Sequence, residues 1–260
     1  MCPWSACGLQ RERGLIAPLI IDDPNDAGDY DVVRRIIDRL WDARIPHIRL
    51  LAAARTDPRD LVKAVTCAED IGMIAGVRSR TATWANRDVV QQLADVGLDY
   101  LIVPFGVTPD FHDTIYGHGD FAKIESLVDE LRQREVTPVA DIPLMPKTER
   151  DLAKALDTLR GWGVQHVELF SIANRPLSSP LALTARAALS QQQRNPHDFA
   201  FDAIALRQLA GWIEDLAGER DMKLIWLPTL DHEDGTLSES LALRGPRAGG
   251  DVSIRVTAEG

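Results

Sequence analysis

The chain has 260 residues, which suits one α/β barrel or a barrel with a short appendage and suffices to bury a core without staples. Its apolar fraction of 45% is ordinary for a globular domain, and its formal net charge of −10 argues against broad binding to nucleic acid or an anionic membrane. No apolar run of about 18 residues implies a membrane span, and the N-terminus lacks the layout of a signal peptide, so a cytoplasmic protein is expected.

In chain order, residues 1–14 hold Cys2 and Cys7 and then a polar run. An apolar stretch at 15–21 is interrupted by Pro18. Asp22, Asp23, Asp26 and Asp29 form an acidic turn region. Residues 30–43 read as a helix with Val32, Val33, Ile36, Ile37 and Leu40 on one face. A strand follows at 47–53. Asp57 and Pro58 open a helix that reaches about residue 71, with proline at an early helical position. Strand 73–77, helix 86–96 and strand 100–105 come next. A polar loop then runs to Gly119, opened by a turn at Thr108-Pro109-Asp110. Asp120 stands where it can cap a helix over 121–134. The alternation continues with strand 136–142, helix 149–162 and strand 164–172. Residues 174–195 are less periodic, with a helix placed at 181–193. Helix 199–217, strand 222–227, a Gly- and Arg-rich loop at 244–250 and a strand at 251–257 complete the chain.

Strands and helices alternating at this spacing specify a parallel sheet with right-handed crossovers. The strands are mostly unbroken apolar runs, as in sheets covered on both faces. Five to seven βα units are expected, in a partial or complete TIM-like (β/α) barrel with its site on the loops after the strands. An open doubly wound sheet is the competing architecture, but no G-x-G-x-x-G follows the first strand. Three cysteines are too few for a disulfide framework, and Cys67 reads as a small buried hydrophobe within its helix.

Residues 99–121 read DYLIVPFGVTPDFHDTIYGHGDF. With His112-Asp113, Ile115, Gly117 and Phe121, this stretch resembles a segment of the radical SAM superfamily. There a barrel strand is followed by a pattern like S-x-D-G-x-x-x-x-x-H-D-x-I-R-G-x-x-x-F. The resemblance extends over about 30–172, and 96–100, Val-Gly-Leu-Asp-Tyr, fits it well. It implies a cofactor, S-adenosylmethionine, and a [4Fe-4S] cluster. Where the family has Gly-Gly-Glu-Pro to hold the cofactor's amino group, this chain has Ala52-Ala53-Ala54-Arg55. Where the family often has Thr-Asn-Gly, it has Arg78-Ser79-Arg80-Thr81. Ala53, Arg55, Arg78 and Arg80 are therefore the cofactor-binding candidates. Residues 244–256 look like the opening of a SPASM or twitch extension that stops before its second strand.

The cluster of the family needs three thiolates on one loop. Cys2 and Cys7, with four residues between them, are the metal-ligand candidates, and Cys67 lies on the wrong element. Two readings stay open. Residues 1–14 are a remnant of the cluster loop in a chain cut inside recognisable motifs. Alternatively, 15–21 is the first strand, the acidic loop replaces the cluster loop, and the metal has been lost. The second is preferred, because two separate cofactor motifs are altered.

Other residue types offer chemistry of their own. His112 and Asp113 could act as an acid/base pair, or Asp113 could cap a turn while His112 lies on the surface. His118 reads as an exposed loop residue. His166 and Glu168 share one face of a strand, and Glu168 needs a buried partner if that face meets the helices. Arg55, Arg78 and Arg80 follow adjacent strands and could form a cationic pocket for carboxylate or phosphate, or be scattered surface residues. Asp22 to Asp29 and Asp231 to Asp234 read as solvated loops rather than metal sites.

The chain thus divides into an N-terminal segment at 1–29, a radical-SAM-like α/β barrel at 30–230 and a truncated SPASM/twitch-like tail at 231–260. Its catalytic candidates are His112, Asp113 and Glu168. Three functions follow. One is a barrel without its own complete cluster, serving as a partner subunit for a competent enzyme or as a scaffold for a peptide or small molecule. Another is an incomplete chain of an active radical SAM enzyme. The third is a cluster-independent lyase or isomerase.

Overall fold

The computed structural model of the chain describes residues 16–21, 30–42, 45–52, 57–144, 148–171 and 203–226. Seven strands are found there: β1 Ile16–Ile21, β2 His47–Ala52, β3 Ile74–Arg78, β4 Tyr100–Pro104, β5 Thr137–Leu144, β6 His166–Ser171 and β7 Lys223–Trp226. Between them lie α1 Tyr30–Asp42, α2 Pro58–Asp70, α3 Arg87–Asp95, α4 Pro109–Tyr116, α5 Ile124–Gln133, α6 Glu149–Gly161 and α7 Ala203–Gly218. A 3-10 turn, Phe121–Lys123, leads into α5.

Strand order equals chain order, β1 to β7, and the pairings from β1 to β4 and from β5 to β7 are parallel. A doubly wound sheet reverses its strand order at a switch point, and this one does not. Right-handed crossovers in one direction put every helix on one side of the strands. That is the winding of a partial (β/α) barrel, as the alternation predicts. The described residues fall into two compact units, one ending at Val103 and including 129–138, the other taking 104–128 and 139 onward.

In the first unit, the register sets which side chains meet the helices. Ile48, Leu50, Ala75, Val77, Leu101 and Val103 alternate onto one face and are buried. The strands β2 and β3 contact α2, whose Leu61, Ala64, Val65 and Ala68 recur at helical spacing and have no exposed surface. Burying each leucine, isoleucine or valine among them is worth about 1.5–3 kcal/mol. The opposite face is mixed. Beside the apolar Leu51, Ile74 and Ile102 it carries His47, Arg49, Gly76, Arg78 and Tyr100. The Tyr100 ring lies over Gly76 and its hydroxyl reaches His47 Nε2.

In the second unit, Ala140, Ile142, Val167 and Leu169 occupy one face of β5 and β6. Val139, Asp141, His166 and Glu168 occupy the other, with Asp141 directly opposite Glu168. The shared face expected for His166 and Glu168 is therefore present.

Local signals place the helix starts. Asp57 accepts from Arg59 N–H at 2.9 Å ahead of α2, and Asn86 accepts from Asp88 and Val89 N–H ahead of α3. One predicted segment differs. The polar loop expected between β4 and Gly119 contains α4, because Thr108 caps it through Phe111 N–H and Pro109 suits its first turn. Asp120 makes no side-chain cap to the next helix, contrary to expectation, since its carboxylate turns to His112. The helix expected at 181–193, the strand at 251–257, the acidic turn at 22–29 and the tail at 231–260 lie outside the described residues. Among the described residues no helix is long and apolar enough to cross a membrane.

Two predictions follow from the first unit. A Cβ on Gly76 would overlap the Tyr100 ring, so Gly76→Ala should lower the unfolding free energy by about 2 kcal/mol or more in urea denaturation. An unchanged midpoint would mean that the ring is free to move aside. The second concerns Glu69 on α2 and Asp99 ahead of β4. Asp99 accepts from Ala75 N–H at 2.8 Å and its side chain meets that of Glu69, so one proton must be shared between them. Burial, with Asp99 adding to it, pushes Glu69 up to about 7 from the ordinary 4.5. A raised acid favours the folded state below its unfolded value and loses that benefit as pH climbs through the folded one. Stability should therefore fall between about pH 4.5 and 7, and Glu69→Gln should flatten that slope. Equal slopes for the two proteins would remove the shared proton.

Candidate functional site

The segment that follows β4 is built around one histidine. Gly106 N–H donates to His112 Nδ1 at 2.9 Å, so Nδ1 is the acceptor and the ring proton sits on Nε2. Nε2–H then donates to Asp120 Oδ2 at 3.0 Å. His112 has no exposed surface and Asp120 is 2% exposed, so this is a buried charge-assisted bond. The ring also lies tilted against Tyr116 at 4.6 Å and meets Phe121 edge-on at 5.5 Å. Gly106 is required there, because a Cβ would stand 2.6 Å from His112 Cα and Cβ.

Asp113 serves a different part of the same segment. It accepts from Gly119 N–H at 2.6 Å and Phe121 N–H at 2.9 Å. Those two bonds, Phe121's first, hold its carboxyl below the usual carboxylate range. His112 and Asp113 are thus adjacent in sequence but bound to different partners. The reading that left His112 on the surface is corrected, because its ring fills the core under α4. His118 is fully exposed, 3.8 Å from Asp113, as expected.

On β5 and β6, Asp141 and Glu168 are in register on one face and neither has exposed surface. His166 starts the same strand as Glu168, and burial followed by Lys223 lowers it to about 4, which leaves it neutral. In the first unit, Arg49 is 4% exposed, while Arg78 and Arg80 are half-buried at the carboxyl end of β3. Arg78 and Arg80 therefore belong to one unit, and His112, Asp113 and Glu168 to the other.

Ala53, Arg55, Cys2 and Cys7 lie outside the described residues. Sequence reasoning missed Asp120, Asp141 and Arg49. The last two had a readable mark, since each is a lone charge inside an apolar strand. Asp120 had none, because its role as a cap was equally consistent with the sequence.

The cysteines test the fit of an iron–sulfur cluster. Cys67 sits on α2 with 7% of its surface exposed, on the buried side with Ala64 and Ala68. The chain has three cysteines, so a three-thiolate set would have to include it. Its place in the helix packing does not fit such a loop. Among the described residues no cluster of three or more His, Cys, Asp or Glu side chains could hold a metal ion.

No known family and no curated protein matches the sequence. Solved structures match the fold. SuiB from Streptococcus suis bound to S-adenosylmethionine aligns with a TM-score of 0.62 at 11% identity, over 95% of this chain and 57% of its own. anSMEcpe with bound AdoMet and Cp18Cys peptide aligns at 0.53 with 10% identity, over 81% of this chain and 63% of its own. Both are radical SAM enzymes. The chain spans less than two thirds of either. Deoxyribose phosphate aldolase from Aeropyrum pernix aligns at 0.53 with 15% identity, over 96% of this chain and 89% of its own. At such identities the likeness is one of fold.

The relay after β4 predicts coupled energetics. His112→Ala should cost about 3 kcal/mol or more, by opening a void and stranding Gly106 N–H and Asp120. Asp120→Asn should cost about 1–2 kcal/mol. The double variant should cost about as much as His112→Ala alone, because both remove one network. Additive losses in urea denaturation would show that the two side chains act separately.

Proposed function

We propose that this chain is a radical-SAM-like barrel that binds a peptide or small molecule without assembling a complete [4Fe-4S] cluster from its own thiols. The observation that carries the reading is the pairing of a barrel like that of SuiB with a third cysteine locked in the packing of α2. The altered Ala52-Ala53-Ala54-Arg55 segment supports it from the sequence side. In this reading the barrel serves as a scaffold or partner for a competent enzyme, and its substrate is of the peptide class, as in the anSMEcpe complex. If Cys2 and Cys7 take part with thiols of another chain, a bound cluster would supply reductive cleavage of S-adenosylmethionine. The residues of this chain would then orient the substrate.

A second reading has its own observation. The aldolase from Aeropyrum pernix matches this chain in length as well as fold, which the radical SAM enzymes do not. A cluster-independent lyase would place its acid/base chemistry on Glu168 and Asp141, the carboxyl pair of β5 and β6.

Anaerobic reconstitution with iron and sulfide decides between the readings that involve a cluster. The purified chain should stay colourless, with iron and sulfide well below four of each per molecule. Stoichiometric iron and sulfide with a broad band near 400 nm would instead establish a competent cluster and overturn the proposal.

A further inference from the structure

The inner face of the first unit carries an arrangement that neither the cysteines nor the His112 relay explains. Among β1 to β4 the sequence places two arginines, Arg49 and Arg78, and no aspartate or glutamate. The geometry points to a binding subsite for a carboxylate or phosphate group, held by Arg49 and Arg78 on this face.

Placement comes first. β2 and β3 run parallel with Arg49 opposite Gly76 and Leu51 opposite Arg78. The two arginines therefore share a face, one row apart on neighbouring strands. By strand geometry their Cβ atoms stand about 8 Å apart. Across that distance two extended guanidinium side chains are long enough to reach one small anion.

The surroundings favour such a ligand. Gly76 contributes no side chain between the arginines, and the Tyr100 ring fills its place. Tyr100 in turn bonds to His47, which starts β2 on the same face. Burial, followed by the charge of Arg49, pulls His47 down to about 3, so the floor of the subsite is aromatic and uncharged. Arg78 closes β3 at its carboxyl end, where parallel α/β sheets hold ligands. Arg80 follows two residues later and is half-buried.

Arginine suits the task better than lysine. Its planar fork presents five N–H donors, so a guanidinium already engaged by one protein acceptor keeps donors for an incoming anion. Paired oxygens match the fork, and the low dielectric of a buried site strengthens the bond. Carboxylate and phosphate share this chemistry, and the experiment separates them.

The inference rests on the barrel winding but not on the missing cluster, so the two can fail independently. Isothermal titration of the purified chain at constant ionic strength uses inorganic phosphate in one arm and succinate in the other. At least one should bind saturably, and the arm that responds names the source. Arg78→Gln, at the rim, should weaken that binding at least 10-fold. Arg49→Lys keeps the charge and loses the fork, and should weaken it by a similar factor. Arg39→Gln, exposed on α1, should change nothing. If neither anion binds saturably, or if both variants of the inner face bind like the unaltered chain, the subsite does not exist. The iron content of the same preparation bears on neither outcome.

Discussion

Winding in one direction is the constraint on which this structure depends. With the helices on one side, each strand is asked for two different faces. The helix side must be apolar and closely packed, and it is, in Ile48, Leu50, Ala75, Val77 and Leu101. The other face is also shielded from water, yet it carries Arg49 in the first unit and Asp141 and Glu168 in the second. Charges buried to this extent cost several kcal/mol each in lost hydration, which only close polar partners or a ligand offset. Each of these three side chains has a polar partner within the protein, so this face meets the cost of burial with polar contacts where the helix side uses apolar packing.

The sequence reveals the helix side better than the inner side for the same reason. Apolar periodicity reports burial against a regular partner, and apart from α4 it located the strands and helices from β2 to β6 to within three residues. The parallel winding followed from the order of the elements. What it could not resolve was the segment between Gly106 and Asp120. There Pro109 marks a turn and a first helical turn equally well, and only the Thr108 cap turns it into α4. The partner of His112 was hidden for a related reason. Asp113 is its neighbour in sequence, but consecutive residues on a helix point apart by about 100°. Asp120, eight residues on, returns to it because Gly117 and Gly119 take positive φ angles that let the chain reverse. Lone charges in apolar strands were visible throughout as residues. Their burial was not, because strand alternation names a face without saying which face is inner.

The histidine segment also shows a side chain capable of acid/base chemistry given over to packing. His112 uses both ring nitrogens within the chain, one on a backbone N–H and one on Asp120. Phe105, Phe121 and Trp162 pack around one another beside it, at ring separations between 5.5 and 6.0 Å. A side chain with both nitrogens engaged and no exposed surface is a cornerstone of its segment. Its replacement would loosen the end of β4 even in a protein with no catalytic use for a histidine.

Fold likeness reaches both radical SAM enzymes and an aldolase, so the barrel alone does not select a chemistry. Selection has to come from side chains that the shared fold does not require. The thiols are one such set, and Cys67 packs on the buried side of α2 with Ala64 and Ala68. The charged side chains of the strands are another, Arg49 in the first unit and Asp141 and Glu168 in the second. The winding requires none of these residue types, so any choice among chemistries rests on what these side chains hold.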